Sequence, residues 1–157
     1  MRAVSHRVAI VMGSKSDAEV MRPAAEVLAE FGIEHEVHVI SAHRTPKRAA
    51  EFAAGAVGAG FEVIIAGAGG AAHLPGVIAS LTPLPVIGVP VNTQALAGLD
   101  SLLSIVQMPS GVPVATVGID GAKNAGILAA EIVAVADLDV RRKLIAYREK
   151  LAEQVAV

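Results

Sequence analysis

The run RVAIVM at 7–12 is apolar almost throughout and is followed by a Gly-Ser loop, the pattern of a strand buried on both faces. Beyond it the spacing predicts a helix over 17–31. Ser16 and Glu19 have capping-box spacing at its start, and Gly32 supplies a left-handed residue past its end. Residues 33–40 alternate through Ile33, Val37 and Val39 and read as a second, less buried strand. Thr45 followed by Pro46 marks an N-cap and a first-turn proline, so a helix is expected from 46 to about 59, ending near Gly60. The rhythm then repeats: strand 62–66, short helix 75–81, strand 85–89, helix 99–107, strand 113–117, helix 122–135 and a charged helix over 139–154.

Five strands alternating with helices predict a parallel sheet with right-handed crossovers and helices on both faces. The expected fold is therefore α/β, a three-layer αβα sandwich of flavodoxin-like or Rossmann-like type with five strands and a C-terminal helix. Such sheets bind ligands beyond the carboxyl ends of their strands. Three loops, GSKSD at 13–17, SAHRTP at 41–46 and GAGGAAHLPG at 67–76, follow the first three strands directly and should converge on one small-molecule site.

Composition narrows the class. The 157 residues suit a single domain, 1–157, with 1–6 as an N-terminal tail. An apolar fraction of 54% exceeds what so short a chain hides alone, so a homo-oligomer is expected. Thirteen basic and 15 acidic residues are scattered without a basic run, and aromatics are few, which argues against nucleic acid. The absence of cysteine excludes disulfides, thiolate catalysis and cysteine-ligated metal, and suits a reducing cytoplasm. MRAVSHR lacks the apolar centre of a signal peptide. From Val63 to Leu99 there is no charged residue, but Pro75, Pro83, Pro85 and Pro90 with Gly67, Gly69 and Gly70 cut the stretch into strand and short-helix lengths, so buried structure and no membrane span is expected.

The loops carry the candidate chemistry. GSKSD sets small residues and hydroxyls at a helix start, where free N–H groups favour an anion such as phosphate, and puts Asp17 in the first turn, within reach of ribose hydroxyls; equally, Ser14, Ser16 and Asp17 can be simple caps. SAHRTP joins a titratable imidazole, His43, to a planar cation, Arg44, whose fork suits two phosphate oxygens. GAGGAAHLPG offers nearly bare backbone to a flat ligand or a carboxylate. Gly67, Gly69 and Ala72 fit the dinucleotide fingerprint only in part, since Asn92 stands where a ribose-binding carboxylate belongs. His73 is open to three readings: a second acid/base group, a metal ligand with His43 and Asp17, or a loop anchor, the last favoured over metal. His6, His35 and His38 are expected at the surface, and Ser41 has no activated-nucleophile context.

In this order the three loops closely resemble the PurE family of purine biosynthesis, the phosphoribosylaminoimidazole carboxylase catalytic subunit. VIGVPV at 86–91, LDSLLSIVQMPSGVPVATV at 99–117 and NAGILAA at 124–130 extend the similarity over nearly the whole chain. The form is similar to the family's bacterial class, which moves a carboxylate from the exocyclic nitrogen of N5-carboxyaminoimidazole ribonucleotide to C4 without ATP. The resemblance implies a homo-octamer, no cofactor and no metal, a ribonucleotide substrate, and functional coupling to a separate ATP-dependent synthetase that makes it. It implies His43 as general acid/base, Ser14, Asp17 and Arg44 as the main substrate-binding groups, and Ser41, Ala42, Gly69, Gly70, His73 and Leu74 around the imidazole and the migrating carboxylate. Asn92-Thr93, where Gln-Ser is common, and a short IDGAKNA segment at 119–125 depart from the family pattern. The competing readings are a direct CO2-dependent carboxylase within the family and, outside it, a flavodoxin-like FMN-binding protein, against which three Phe, one Tyr and no Trp weigh.

Overall fold

A computed structural model describes residues 5–156, so Met1–Val4 of the expected 1–6 tail lie outside the described residues. The sheet has five parallel strands: β1 (Arg7–Met12), β2 (Glu34–Val39), β3 (Val63–Gly69), β4 (Val86–Val91) and β5 (Ala115–Thr116). Their order is β2-β1-β3-β4-β5, a doubly wound arrangement that begins at the centre and reverses at β1. Six helices connect and flank them: α1 (Ala18–Glu30), α2 (Pro46–Gly55), α3 (Leu74–Ala79), α4 (Leu99–Val106), α5 (Ala122–Ala134) and α6 (Leu138–Val155).

Period-two alternation within apolar strands divides the core into two layers. Val8, Ile10 and Met12 of β1, Val63 and Ile65 of β3 and Ile87 and Val89 of β4 face α1 and α5. Ala9 and Val11, Ile64, Ala66 and Ala68, and Val86 face α2, α3 and α4. Ile10, Ile64, Ile65 and Ile87 are wholly buried, and each such side chain contributes about 1.5–3 kcal/mol relative to exposure. β2 lies at an edge and is mostly exposed, Val37 to 53%. The expected strand order of burial, β1 before β2, therefore holds.

Several local boundaries differ from the sequence expectations. A short 3-10 turn, Lys15–Asp17, precedes α1, and Ser14 caps it by accepting from the Ser16 amide, so the Ser16/Glu19 capping box does not form. Glu19 pairs instead with Arg22 one turn along α1. Thr45 occupies the N-cap position of α2, but its hydroxyl turns back to donate to the Ser41 carbonyl at 2.8 Å and accept from the Ser41 amide at 3.2 Å. α2 ends at Gly55, four residues early, because the small residues after it follow a turn rather than a helix. β5 keeps only two residues, Ala115 and Thr116, although the Val117 amide still donates to the Gly88 carbonyl at 3.1 Å.

His6 is not a free surface residue. Its ring bridges two carboxylates, Nδ1 to Glu62 at 2.7 Å and Nε2 to Asp137 at 2.9 Å, with 11% of the side chain exposed. Asp137 in turn caps α6 by accepting from the Val140 amide. His38 is half-buried, its ring packed against Phe52 at 5.0 Å between centroids. Among the described residues no helix is long and apolar enough to cross a membrane.

Candidate functional site

The carboxyl ends of β1, β2, β3 and β4 open into one cavity of about 520 Å³, a size suited to a nucleotide-scale ligand. Gly13, Ser14, Ser16 and Asp17 come from the end of β1, Ser41, Ala42, His43 and Arg44 from the end of β2, and Ala68, Gly69, Ala71 and Leu74 from β3 and its loop. Val91, Asn92 and Thr93 close the fourth side.

Each wall is built by local chemistry. In the first loop Ser14 Oγ accepts from the Ser16 amide and from the Ser16 hydroxyl at 2.9 Å, leaving a compact polar turn at the start of α1. Asp17 is buried there, and burial pushes its carboxyl above the ordinary value, an effect only partly opposed by the Ser14 backbone amide. In the second loop Ser41 Oγ receives the Arg44 amide at 3.1 Å and Arg44 Nε at 3.3 Å, while Arg44 Nη2 reaches the Gly13 carbonyl at 3.4 Å. The guanidinium is thereby stretched from the second loop to the first. Lys15 and Arg48 share an adjoining groove with Arg44, which makes this end of the site cationic.

The third loop begins later than expected, because Gly67–Gly69 still belong to β3. Gly67 is bare for a packing reason: a Cβ there would lie 2.3 Å from Met21 Sδ, which is fully buried beneath the strand. Gly70 turns the chain out of the sheet with φ of 71°, a conformation that favours glycine. Ala72 N–H then donates to the Gly70 carbonyl and His73 N–H to the Ala71 carbonyl, both at 2.8 Å. This tight path brings His73 Nδ1 to 2.8 Å from His43 Nε2.

Eight of the ten residues expected in the site, Ser14, Asp17, Ser41, Ala42, His43, Arg44, Gly69 and Leu74, line the cavity. Gly70 and His73 are not among the lining residues; His73 is exposed and meets the site through His43. Among the described residues no group of three or more His, Cys, Asp or Glu side chains could hold a metal ion, so the set of His43, His73 and Asp17 is not assembled as one.

Sequence reasoning left out the fourth wall. The Asn92 amide donates to Asp120 at 2.8 Å and the Thr93 hydroxyl to Asp100 at 2.8 Å, and Ser101 ties Gly70 to Val91. The rule that ligands collect at strand ends applies to β4 as much as to the first three strands and was the available signal for Asn92 and Thr93.

A model of the family described as AIR carboxylase matches residues 7–154. A Thermotoga maritima relative named N5-carboxyaminoimidazole ribonucleotide mutase is 62% identical over 149 residues, spanning 95% of this chain and 87% of its own. A Mycobacterium leprae relative of the same name is 61% identical over 149 residues, with coverage of 95% and 87%. The crystal structure of Treponema denticola PurE superposes with a TM-score of 0.85 at 29% identity, covering 95% of this chain and 93% of that one.

Proposed function

The chain belongs to the AIR carboxylase family, and on that premise we propose that it converts N5-carboxyaminoimidazole ribonucleotide to 4-carboxy-5-aminoimidazole ribonucleotide, with His43 as the catalytic acid and base. It is an isomerase of purine biosynthesis. The observation that carries the site assignment is the single cavity in which His43 stands between a cationic, hydroxyl-lined end and a nearly bare glycine wall.

Division of labour follows from that arrangement. Ser14 and Arg44 hold the phosphate through hydroxyl and guanidinium, and Asp17 accepts from ribose hydroxyls. The imidazole ring and its carboxylate lie toward Ser41, Ala42, Gly69 and Leu74, with Gly70 just beyond, where the nearly bare glycine backbone lets a flat group approach closely.

Within one turnover the proton count closes. Protonated His43 gives its proton to the exocyclic nitrogen as the N–C bond breaks, the bonding pair remaining on nitrogen and the carboxylate leaving as CO2. The enamine-like C4 then attacks CO2, its electron pair forming the new C–C bond. His43 takes the C4 proton and is ready again. The electrons stay within substrate atoms throughout, so no cofactor is required, and enclosure by the third loop keeps CO2 from escaping.

The same reading has a homo-oligomer, an octamer, working in the cytoplasm beside an ATP-dependent synthetase that supplies the N5-carboxylated substrate. Exposed Leu99, Leu103 and Val106 on α4, with Leu96 in the turn before it, form an apolar stripe that supports association between copies. The decisive experiment offers the purified protein N5-carboxyaminoimidazole ribonucleotide and, separately, aminoimidazole ribonucleotide with bicarbonate. Rapid formation of the C4-carboxylated product from the first is expected. Preference for the second would replace the mutase by a direct carboxylase.

A further inference from the structure

α4 carries a hydroxyl where a helix facing the core ordinarily carries an apolar residue. Ser101 is wholly buried, one turn before the equally buried Ile105. A buried hydroxyl must be satisfied, and the common helical solution is a bond to the carbonyl one turn back, as Ser104 makes to Asp100 at 2.7 Å. Ser101 does something different. Its Oγ donates to the Val91 carbonyl at 2.6 Å and accepts from the Gly70 amide at 2.9 Å.

Those two groups belong to different strand ends. Gly69 and Val91 are the last paired positions of β3 and β4, so Gly70 lies immediately beyond the last rung of the ladder. The Ser101 hydroxyl replaces the missing rung. Ser104 reaches the Gly70 carbonyl as well, at 3.3 Å, so α4 grips both polar groups of the residue at which the third loop leaves the sheet. From Gly70 two tight main-chain hydrogen bonds lead directly to His73, and from His73 a 2.8 Å contact leads to His43.

We infer that Ser101 is a positioning residue: by fixing Gly70 it sets, through Ala71 and Ala72, the orientation of the His73 ring against His43. The inference rests on the acid/base role proposed for His43. Loss of the hydroxyl frees the Gly70 amide and lets the loop shift by fractions of an ångström, enough to misalign the proton donor while leaving the phosphate end, built on β1 and β2, in place.

The test compares wild type with Ser101→Ala, Ser101→Cys and Ser101→Thr, and with Val133→Ala, a core truncation in α5 remote from the site. Ser101→Ala is expected to lower kcat about 10- to 100-fold, with KM for the nucleotide within about 3-fold and the pH profile of kcat displaced. Ser101→Thr, which keeps the hydroxyl, recovers most of kcat. If the alanine variant does not fold, the nearly isosteric cysteine variant carries the same expectation. An unchanged kcat and pH profile in folded Ser101→Ala or Ser101→Cys overturns the inference, and so does an equal loss of kcat in Val133→Ala at equal loss of melting temperature. A turnover-independent reading separates this from failure of the proposed reaction: the imidazole N–H signal of the His43–His73 hydrogen bond, followed by NMR, should broaden or move in Ser101→Ala but not in Val133→Ala. If wild type turns over no substrate while that signal responds as expected, the reaction is wrong and the positioning role stands.

Discussion

His43 Nε2 lies 2.8 Å from His73 Nδ1, with the two rings nearly perpendicular at 82°. Two imidazole nitrogens at that distance share one hydrogen, so one ring donates and the other accepts. The tautomer that His73 adopts therefore selects the tautomer of its neighbour.

Replacing His43 by Asn should leave folding and nucleotide binding near wild type and reduce kcat about 10²- to 10⁴-fold, the usual contribution of a positioned acid/base. Steady-state kinetics with a parallel calorimetric binding titration checks this. Turnover close to wild type would remove His43 from the mechanism.

Arg44 spans from Ser41 to the Gly13 carbonyl, and its guanidinium is proposed to hold the phosphate. Arg44→Ala should weaken nucleotide binding by about 1.5–3 kcal/mol, roughly 10- to 100-fold in Kd, with a smaller effect on kcat. Arg44→Lys should recover little, since a point charge cannot reproduce the fork. An unchanged Kd in the alanine variant would place the phosphate elsewhere.

Asp17, proposed to accept from ribose hydroxyls, carries a stability cost. Its folded carboxyl binds a proton more tightly than the unfolded one because it is buried, so between the ordinary value of 3.8 and the raised value the native state holds more protons than the unfolded state. Stability contributed by this group is present below that window and declines as pH rises through it. Asp17→Asn should therefore raise the melting temperature of the ligand-free protein at neutral pH while reducing nucleotide affinity. Differential scanning calorimetry and binding measured on the same samples test both signs together.

The His6 bridge works in the opposite pH direction. Burial alone would lower its value, but hydrogen bonds and charge from Glu62 and Asp137 outweigh it and hold the imidazole above 6.5. The stabilisation is complete below about 6.5 and is lost as pH rises through the higher folded value. Asp137 is held low by the Val140 amide and by His6, so its share is lost only in strong acid. Wild type should lose more melting temperature than His6→Gln between about pH 6 and about pH 9. Parallel curves would dismiss the bridge as a contributor.

Association should depend on the α4 stripe. Leu103 is 48% exposed, and Leu103→Glu places a charge in the middle of that apolar line. The expected result is a smaller species by sedimentation velocity with native circular dichroism. An unaltered sedimentation coefficient would move the contact to another face.

The layered α/β fold was legible because apolar runs and Gly or Pro punctuation alternate without interruption, and the first three loops were legible because they follow runs that are plainly strands. What was not legible depends on partners far apart in the chain. Ser16 and Glu19 have the right spacing for a cap, yet Ser14, two residues earlier, takes the role once a 3-10 turn tightens the loop. His6 looks like tail until β3 and α6 deliver Glu62 and Asp137 to its two nitrogens. Ser101 reads as one more small residue in LDSLLSIV, and its meaning appears only when β4 stands beside β3.

The two borders of the sheet have a consequence for life at high protein concentration. β2 presents alternating charge and imidazole, EHEVHV, with Glu36 held by Arg7, and β5 offers only two residues beside Pro113. Neither border is a good template for another strand, so end-to-end growth of sheets, the first step toward fibrils, finds no purchase at either side. The sheet thus ends within its own chain on both sides, and what remains for another copy to meet is helix and loop.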